Sequence, residues 1–290
     1  MSLAKLRSQD VAVPRFFVVA SQAFEDFLKH LRISLPPAGR VASGGDLDSL
    51  RRTISQAALP DAVTVPIVEH YRDLIRAAGH GVVAVRSSAA AEDSETSSFA
   101  GLYRSLLGVS GEEPLLGAVR QVWSSCLSNE AAAYRRARDI QPGSAGFAVI
   151  VQTQVFAERA GVLFTRHPLE PDGDLAYLEA NFGTGETVVG GMVTPDAILV
   201  SRSTGKVSGS RIGSKKRMNV VSEDQLGSRT VETDQARRLL PVLSASEAEQ
   251  IVALGLRIEE FMGRPQDIEW AYDSARLWIL QARPQTGAAR

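Results

Sequence analysis

Gln266-Asp267-Ile268-Glu269-Trp270-Ala271-Tyr272 is followed, after a short gap, by Leu277-Trp278-Ile279-Leu280-Gln281-Ala282-Arg283-Pro284. In both halves aromatic and aliphatic residues alternate with other types. Asp273-Ser274-Ala275 between them has turn chemistry, so the pattern predicts a β-hairpin. One register sets Ile268 opposite Ala282, Trp270 opposite Leu280 and Tyr272 opposite Trp278, giving a wholly apolar face. The other face then pairs Glu269 with Gln281 and Asp267 with Arg283, because directly opposed residues share a side. A slip of one residue would mix polar and apolar groups on both faces. Two carboxylates, one amide and one guanidinium therefore converge on a small patch. Carboxylate and amide oxygens suit a hard Mg²⁺ ion, and a guanidinium matches phosphate oxygens in bidentate fashion. The hairpin predicts a metal-phosphate site; the competing reading is an exposed sheet face with ordinary charge pairs.

With 290 residues, the chain is long enough for one large domain or two joined lobes. Hydrophobic residues make up 44% and charged ones 22%, an ordinary globular composition. The net charge of −1 argues against an electrostatic nucleic-acid binder. A single cysteine, Cys126, excludes an intrachain disulfide and a multi-cysteine zinc site. The apolar run Phe16 to Ala20 is too short for a signal peptide or a membrane span, so a cytoplasmic protein without membrane partners is expected.

Arg15 to Val19 reads as a short strand. Ser21 is placed to N-cap a helix with Phe24, Phe27, Leu28 and Leu31 on one face. Leu115, Leu116, Val119, Val122 and Trp123 form the stripe of another helix. Short strands with glycine turns follow from Gly146 to Val200, and Pro142-Gly143 marks a boundary between an N-terminal lobe (1–145) and a C-terminal lobe (146–290). Ala197–Val200 and Lys206–Ser208 suggest a hairpin, and Lys215-Lys216-Arg217 a solvated loop, the competing reading being that one member reaches an anionic ligand. Ser246-Glu247-Ala248-Glu249 fits a capping box opening a helix with Ile251, Leu254, Ile258 and Phe261 inward.

A second informative stretch is VVAVRSSAAAEDSETSSFAGLY, residues 82–103. A strand delivers Arg86 at its end, followed by serines and small residues. Strand ends are where ligands sit in α/β sheets, and small residues let backbone N–H groups approach phosphate oxygens. Gly183-Thr184-Gly185-Glu186 reads equally as a ligand-facing loop or a tight turn. The four histidines lack zinc-catalytic spacing, and Cys126 reads as a core residue. Walker-type, Gly-x-Gly-x-x-Gly and Gly-x-Ser-x-Gly motifs are absent from the sequence.

Together with AVIVQTQVFAERAGVLFTRHP (148–168) and YLEANFGTGETVVGGMVTPDAILV (177–200), these stretches resemble the N-terminal ATP-binding domain of phosphoenolpyruvate synthase and pyruvate phosphate dikinase, shared also by rifampicin phosphotransferases. The resemblance runs from about Pro14 to Thr286. It implies an α+β, ATP-grasp-like fold in which two lobes hold ATP and Mg²⁺ between them. By the same resemblance Arg86 and Arg283 bind ATP phosphates as the catalytic arginines, and Glu269 and Gln281 hold the metal. Asp267 is their companion on that face. Gln152, Gln154 and Val155 match the strand along which adenine lies, Ser98 to Gly101 the loop over the phosphates, and Glu179 and Glu186 acidic positions of the cleft.

Two departures accompany the resemblance. The family's Gly-Gly-Lys segment, whose lysine contacts phosphates, is not found ahead of Met1-Ser2-Leu3-Ala4-Lys5-Leu6, and no histidine lies in a phosphocarrier-type Gly-Gly-x-x-Ser-His segment. The expected function is a Mg-dependent, ATP-dependent phosphotransferase module without a phosphohistidine or pyruvate-binding domain. Its acceptor is either a histidine on a separate carrier, giving AMP, or a small molecule, giving ADP. The alternative is a non-catalytic nucleotide-binding regulator.

Overall fold

The computed structural model describes residues 2–35, 44–89, 105–128, 133, 147–223, 225–274 and 276–285. Ser98, Gly101 and the expected lobe boundary near Pro142-Gly143 lie outside the described residues.

One core is built on a four-stranded sheet of β1 (Phe16–Val19), β2 (Val82–Ala89), β3 (Ser105–Ser110) and β4 (Phe147–Thr153), in the order β1-β4-β2-β3. Alternation along the strands turns Val83, Val85, Val149 and Val151 to one side, where they are buried. Helices α2 (Ser21–His30), α3 (Gly44–Gln56), α4 (Asp61–Ala78) and α5 (Glu112–Ser125) cover that side. Their contribution is the stripe expected from spacing: Phe24 and Phe27 of α2 stack on Trp123 of α5, with ring centroids 5.2 and 5.7 Å apart. Cys126 is buried in the same core. Ser21 is the first residue of α2 rather than its cap; Ala20 holds the N-cap position without a side-chain bond. The opposite side of this sheet, carrying Ala84, Arg86 and Gln152, faces the rest of the chain.

The second core lies under a six-stranded sheet of β5 (Arg159–Phe164), β6 (Leu175–Phe182), β7 (Asp196–Ser201), β8 (Val207–Arg211), β11 (Gln266–Tyr272) and β12 (Leu277–Pro284). Its order is β12-β11-β5-β6-β7-β8. Helix α8 (Ala245–Met262), which follows the short α7 (Gln235–Arg238), buries Ile251, Val252 and Ile258 against Leu163, Leu178, Ile268 and Trp270. Its capping box is formed by Ser244 and Glu247, not by Ser246 and Glu249. Both pairs have the required spacing, and the one that reaches the N-terminal amide donors is the one at the true helix start. Gly263 closes the helix in the left-handed region at φ 72°. The fold is thus α+β and two-lobed, with a cleft between the sheets, as the ATP-grasp-like expectation requires.

The chain passes between the cores more than once, so they do not divide at residue 145. Strand β4 belongs to the first sheet, whereas Leu3 and Leu6 of α1 (Ser2–Arg7), with Val11 and Val13, pack in the second core. A two-stranded ribbon, β9 (Arg217–Ser222) and β10 (Gln225–Glu232), links the lobes. Asn219 bridges to Gly183 and Thr184. Gly227 packs on Gly108 of β3 so closely that a Cβ on Gly108 would lie 2.3 Å from the Gly227 carbonyl oxygen.

Lys215 corrects the reading of a solvated loop. It is fully buried, bonded to the Asp196 carboxylate, and donates to the Gly213 carbonyl at 3.1 Å. Asp196 also accepts from the amides of Gly213 and Val242, each at 2.8 Å. An apolar environment tolerates the ammonium because it is paired. Among the described residues, no helix is long and apolar enough to cross a membrane.

The hairpin register follows the expectation over half its length. Asp267 faces Arg283, Ile268 faces Ala282 and Glu269 faces Gln281. A bulge then shifts the pairing, so Trp270 faces Ile279, Ala271 faces Trp278 and Tyr272 faces Leu277. The expected pairs Trp270–Leu280 and Tyr272–Trp278 do not form. The extra residue, Leu280, turns itself and Trp278 away from the main core, to a small apolar cluster with Val155, Ala160 and Ala271 on the cleft side.

Candidate functional site

Strand alternation carries the site chemistry to the uncovered face of the six-stranded sheet. Leu163, Leu178 and Ile268 point to the core, so Asp267 and Glu269, one residue away on either side of Ile268, point to the cleft. Arg86 on β2 comes from the other lobe, and its Nη1 donates to Glu269 Oε2 at 2.8 Å. Beside this pair, Arg283 donates to Asp267 through Nε at 2.9 Å, with Nη2 at 2.7 Å from the same carboxylate oxygen. Burial pushes the Asp267 carboxyl above its ordinary range; Arg283 opposes the shift and the nearby Glu269 charge adds to it.

A cavity of about 280 Å³ opens between the lobes at this point. Its charged end is lined by Arg86, Glu186 and Glu269, its apolar end by Val155 and Leu280 of the small apolar cluster, and Met192 also borders it. Three buried polar atoms of its lining residues, Arg86 Nε, Gln152 Nε2 and Thr184 Oγ1, have no hydrogen-bond partner among the described residues. Buried polar groups are usually satisfied, so such a concentration in one cavity marks a place that a polar ligand completes.

Glu186, the first residue of the short helix α6 (Glu186–Val189), enters this cavity from above the sheet. Asn219 of the ribbon holds it through a side-chain hydrogen bond, and Ser228 Oγ donates to Oε2 at 3.3 Å. Burial raises its pKa; the Arg86 charge is the largest influence pulling it back. An apolar pocket at one end, with two arginines and several carboxylates at the other, can take a flat base followed by a phosphate chain.

The chain matches the family model described as "Pyruvate phosphate dikinase, AMP/ATP-binding domain" over residues 1–290. It belongs to this AMP/ATP-binding domain family. It is 33% identical to a probable phosphoenolpyruvate synthase of Methanocaldococcus jannaschii, over 98% of this chain and 25% of that protein. A rifampicin phosphotransferase of Streptomyces sviceus is 36% identical, over 97% of this chain and 33% of that protein. The chain therefore spans about a quarter to a third of the length of these relatives. A solved D-alanine-D-alanine ligase from Coxiella burnetii superposes with a TM-score of 0.39 at 9% identity, over 99% of this chain and 47% of that one. That is too distant to add to the fold assignment.

Of the positions expected from the resemblance to this AMP/ATP-binding domain family, Arg86, Gln152, Gln154, Val155 and Glu269 line the cavity. Gln154 is committed to the backbone: Nε2 donates to the Val155 carbonyl at 2.7 Å and Oε1 accepts from the Gly108 amide at 3.2 Å. Gln281, Asp267 and Arg283 share the face of Glu269, beside the cavity. Glu179 is not among the lining residues. It sits on β6, beyond Val162 of β5, and accepts from the Tyr177 hydroxyl at 3.0 Å. Leu280 lines the cavity against the expected apolar core face, and Thr184 lines it within the run read as a ligand-facing loop or a tight turn. A bulge leaves no alternation signal for the first, and the glycine-flanked run 183–186 was the only hint of the second.

Proposed function

We propose that the cleft binds Mg·ATP, with the base against Val155 and Leu280 and the phosphates over Arg86, and that the chain is the nucleotide module of an ATP-dependent phosphotransferase. The observation that carries this reading is the Arg86–Glu269 pair at 2.8 Å, set across the lobe boundary beside unpartnered buried donors. Arg86 and Arg283 neutralise phosphate charge and orient the chain of phosphates. The side-chain amide of Gln152 donates to the nucleotide. The acceptor is a histidine on a separate carrier protein or a small molecule.

The donor set fits Mg²⁺. Glu269 and Gln281 are directly opposed and offer a carboxylate and an amide oxygen. Among the described residues no group of three or more His, Cys, Asp or Glu could hold a metal. Mg²⁺ commonly takes one or two protein oxygens and completes its shell with water and phosphate, so this sparse set suits it. When bound, Mg²⁺ supplies charge neutralisation at the phosphates. Glu269 must then share or release Arg86, which frees the guanidinium for phosphate.

Chromatography of the nucleotide product, with candidate acceptors and with or without Mg²⁺, tests the proposal. Mg-dependent release of AMP supports a histidine carrier and release of ADP a direct small-molecule acceptor. Failure to bind Mg·ATP in calorimetry sinks the reading.

A further inference from the structure

The face that carries Glu269 continues, uncovered by helix α8, across four further strands, β5 to β8. In one row Asp267 lies opposite Phe164, Phe164 opposite Tyr177, and Tyr177 opposite Leu199. In the next, Glu269 lies opposite Val162, Val162 opposite Glu179, Glu179 opposite Ala197, and Ala197 opposite Arg211. Opposed residues share a face. The charged end of the cleft therefore runs directly into a shelf carrying Phe164, Tyr177 and Glu179. At the strand spacing of about 4.8 Å, the Glu179 and Glu269 backbones are roughly 10 Å apart.

The shelf has its own chemistry. Phe164 and Tyr177 stack with ring centroids 6.4 Å apart, and the His167 ring meets Tyr177 edge-on at 5.2 Å. These side chains are only part-buried, so the aromatic wall remains open to the cleft side. The Tyr177 hydroxyl orients Glu179 at 3.0 Å, and Tyr177 itself is pushed up to about 12 by burial and by the Glu179 charge, so it stays a proton donor to that carboxylate. An aromatic wall beside an oriented hydrogen-bond acceptor receives a flat ring bearing an N–H or O–H.

Resting on the proposed nucleotide site, we infer that Phe164, Tyr177 and Glu179 form the acceptor site, which takes a flat ring nucleophile carrying an ionisable proton, an imidazole or an aromatic hydroxyl. Ala271 and Ala160, which pack with Val155 and Leu280, form the row on the other side of Glu269 from Asp267 and Phe164, so an acceptor on this shelf approaches the phosphates from the side opposite the proposed base position. In the transfer, a ring lone pair forms the new bond to phosphorus. The P–O bond to the leaving nucleotide breaks, its electron pair staying on the nucleotide oxygen, and the ring N–H or O–H proton passes to the Glu179 carboxylate. Tyr177 is a positioning residue that holds Glu179 in line.

The test uses the chain with Mg·ATP and two probes, imidazole and phenol, with phosphorylated ring products detected by phosphorus NMR. Transfer to imidazole identifies a histidine-type acceptor, and transfer to phenol a hydroxyl-type one. Glu179→Gln is expected to lower transfer by roughly 100-fold, the scale of a lost proton acceptor. Tyr177→Phe is expected to raise the KM for the ring several-fold with a smaller change in kcat. Both variants should keep the wild-type melting temperature and Mg·ATP affinity. The inference is overturned if neither ring is phosphorylated while Mg·ATP binds, if both variants transfer as well as wild type, or if Glu179→Gln loses Mg·ATP affinity in parallel. A wild-type chain that does not bind Mg·ATP fails at the nucleotide site instead, and the acceptor site fails with it.

Discussion

Arg86 and Glu269, 183 residues apart in sequence, meet at 2.8 Å across the two lobes, with side chains only 12% and 18% exposed. Each belongs to a different sheet, so this contact sets the lobe spacing at the charged end of the cleft. It also keeps an arginine beside the place proposed for phosphate.

Replacing Arg86 by Ala removes a charge-assisted contact to phosphate and leaves Glu269 uncompensated. The expected loss is about 1.5–3 kcal/mol of Mg·ATP binding, or about 10- to 150-fold in Kd. Calorimetry across the Mg²⁺ range checks it, and an unchanged Kd would contradict the phosphate assignment. Glu269→Ala should instead weaken the Mg²⁺ dependence of nucleotide binding.

Leu280 exists on the cleft side only because of the bulge. Leu280→Glu places a carboxylate against the proposed base end and should weaken ATP binding by about tenfold or more, since an uncompensated charge there loses solvation. The same substitution costs little stability, because Leu280 is part-exposed. Parallel melting curves and ATP titrations separate the two effects.

The buried Lys215–Asp196 pair supports three segments at once, through the amides of Gly213 and Val242 and the ammonium of Lys215. Lys215→Met leaves a buried carboxylate without its cation, and the expected destabilisation is about 3–5 kcal/mol. Denaturant unfolding measures it. A loss below 1 kcal/mol would show that the backbone amides alone satisfy Asp196.

Glu186 and Glu259 should shift stability with pH in opposite senses. Burial raises Glu186, so its favourable contribution is complete below the ordinary carboxylate value of 4.5 and is lost as pH rises through the raised value. Glu186→Gln should therefore lose less stability than wild type between pH 4.5 and neutrality. Glu259 is lowered despite burial, because Arg202 donates to it at 2.9 and 3.0 Å. Its contribution is present above 4.5 and is lost as pH falls through the lowered value. Glu259→Gln should flatten the acid limb of a melting-temperature profile.

Gly161 packs where a Cβ would fall 1.8 Å from the Glu179 carbonyl oxygen and 2.8 Å from the Trp270 ring. Gly161→Ala must push β5 away from β6, beside the cleft floor. Overpacking of this kind costs about 1–3 kcal/mol, which a melting-temperature comparison would reveal together with weakened nucleotide binding.

Much of the site was legible because strands alternate. Asp267, Glu269, Gln281 and Arg283 fall on one face in the order that the apolar residues of the first half-hairpin demand. The helix stripes of α2 and α5 were legible for the same reason, their buried residues following the helical repeat. Lys215 was not, since a basic triplet in a glycine-flanked loop looks solvated until Asp196 is placed beside it. Glu179 was grouped with the nucleotide residues by resemblance, yet pairing of β5 and β6 sets it on the shelf, away from the cavity lining.

The sequence alone therefore determined which residues of the closing hairpin share the polar face, because a side-chain period of two leaves one register in which polar and apolar groups separate. Tertiary structure decided the bulge that sends Leu280 and Trp278 to the cleft side, since that depends on packing with Val155 and Ala160 from other segments of the chain. It also decided that Arg86 meets Glu269, and that Asn219 of the ribbon holds Glu186. These contacts join distant segments, and no local pattern encodes the distance between two sheets.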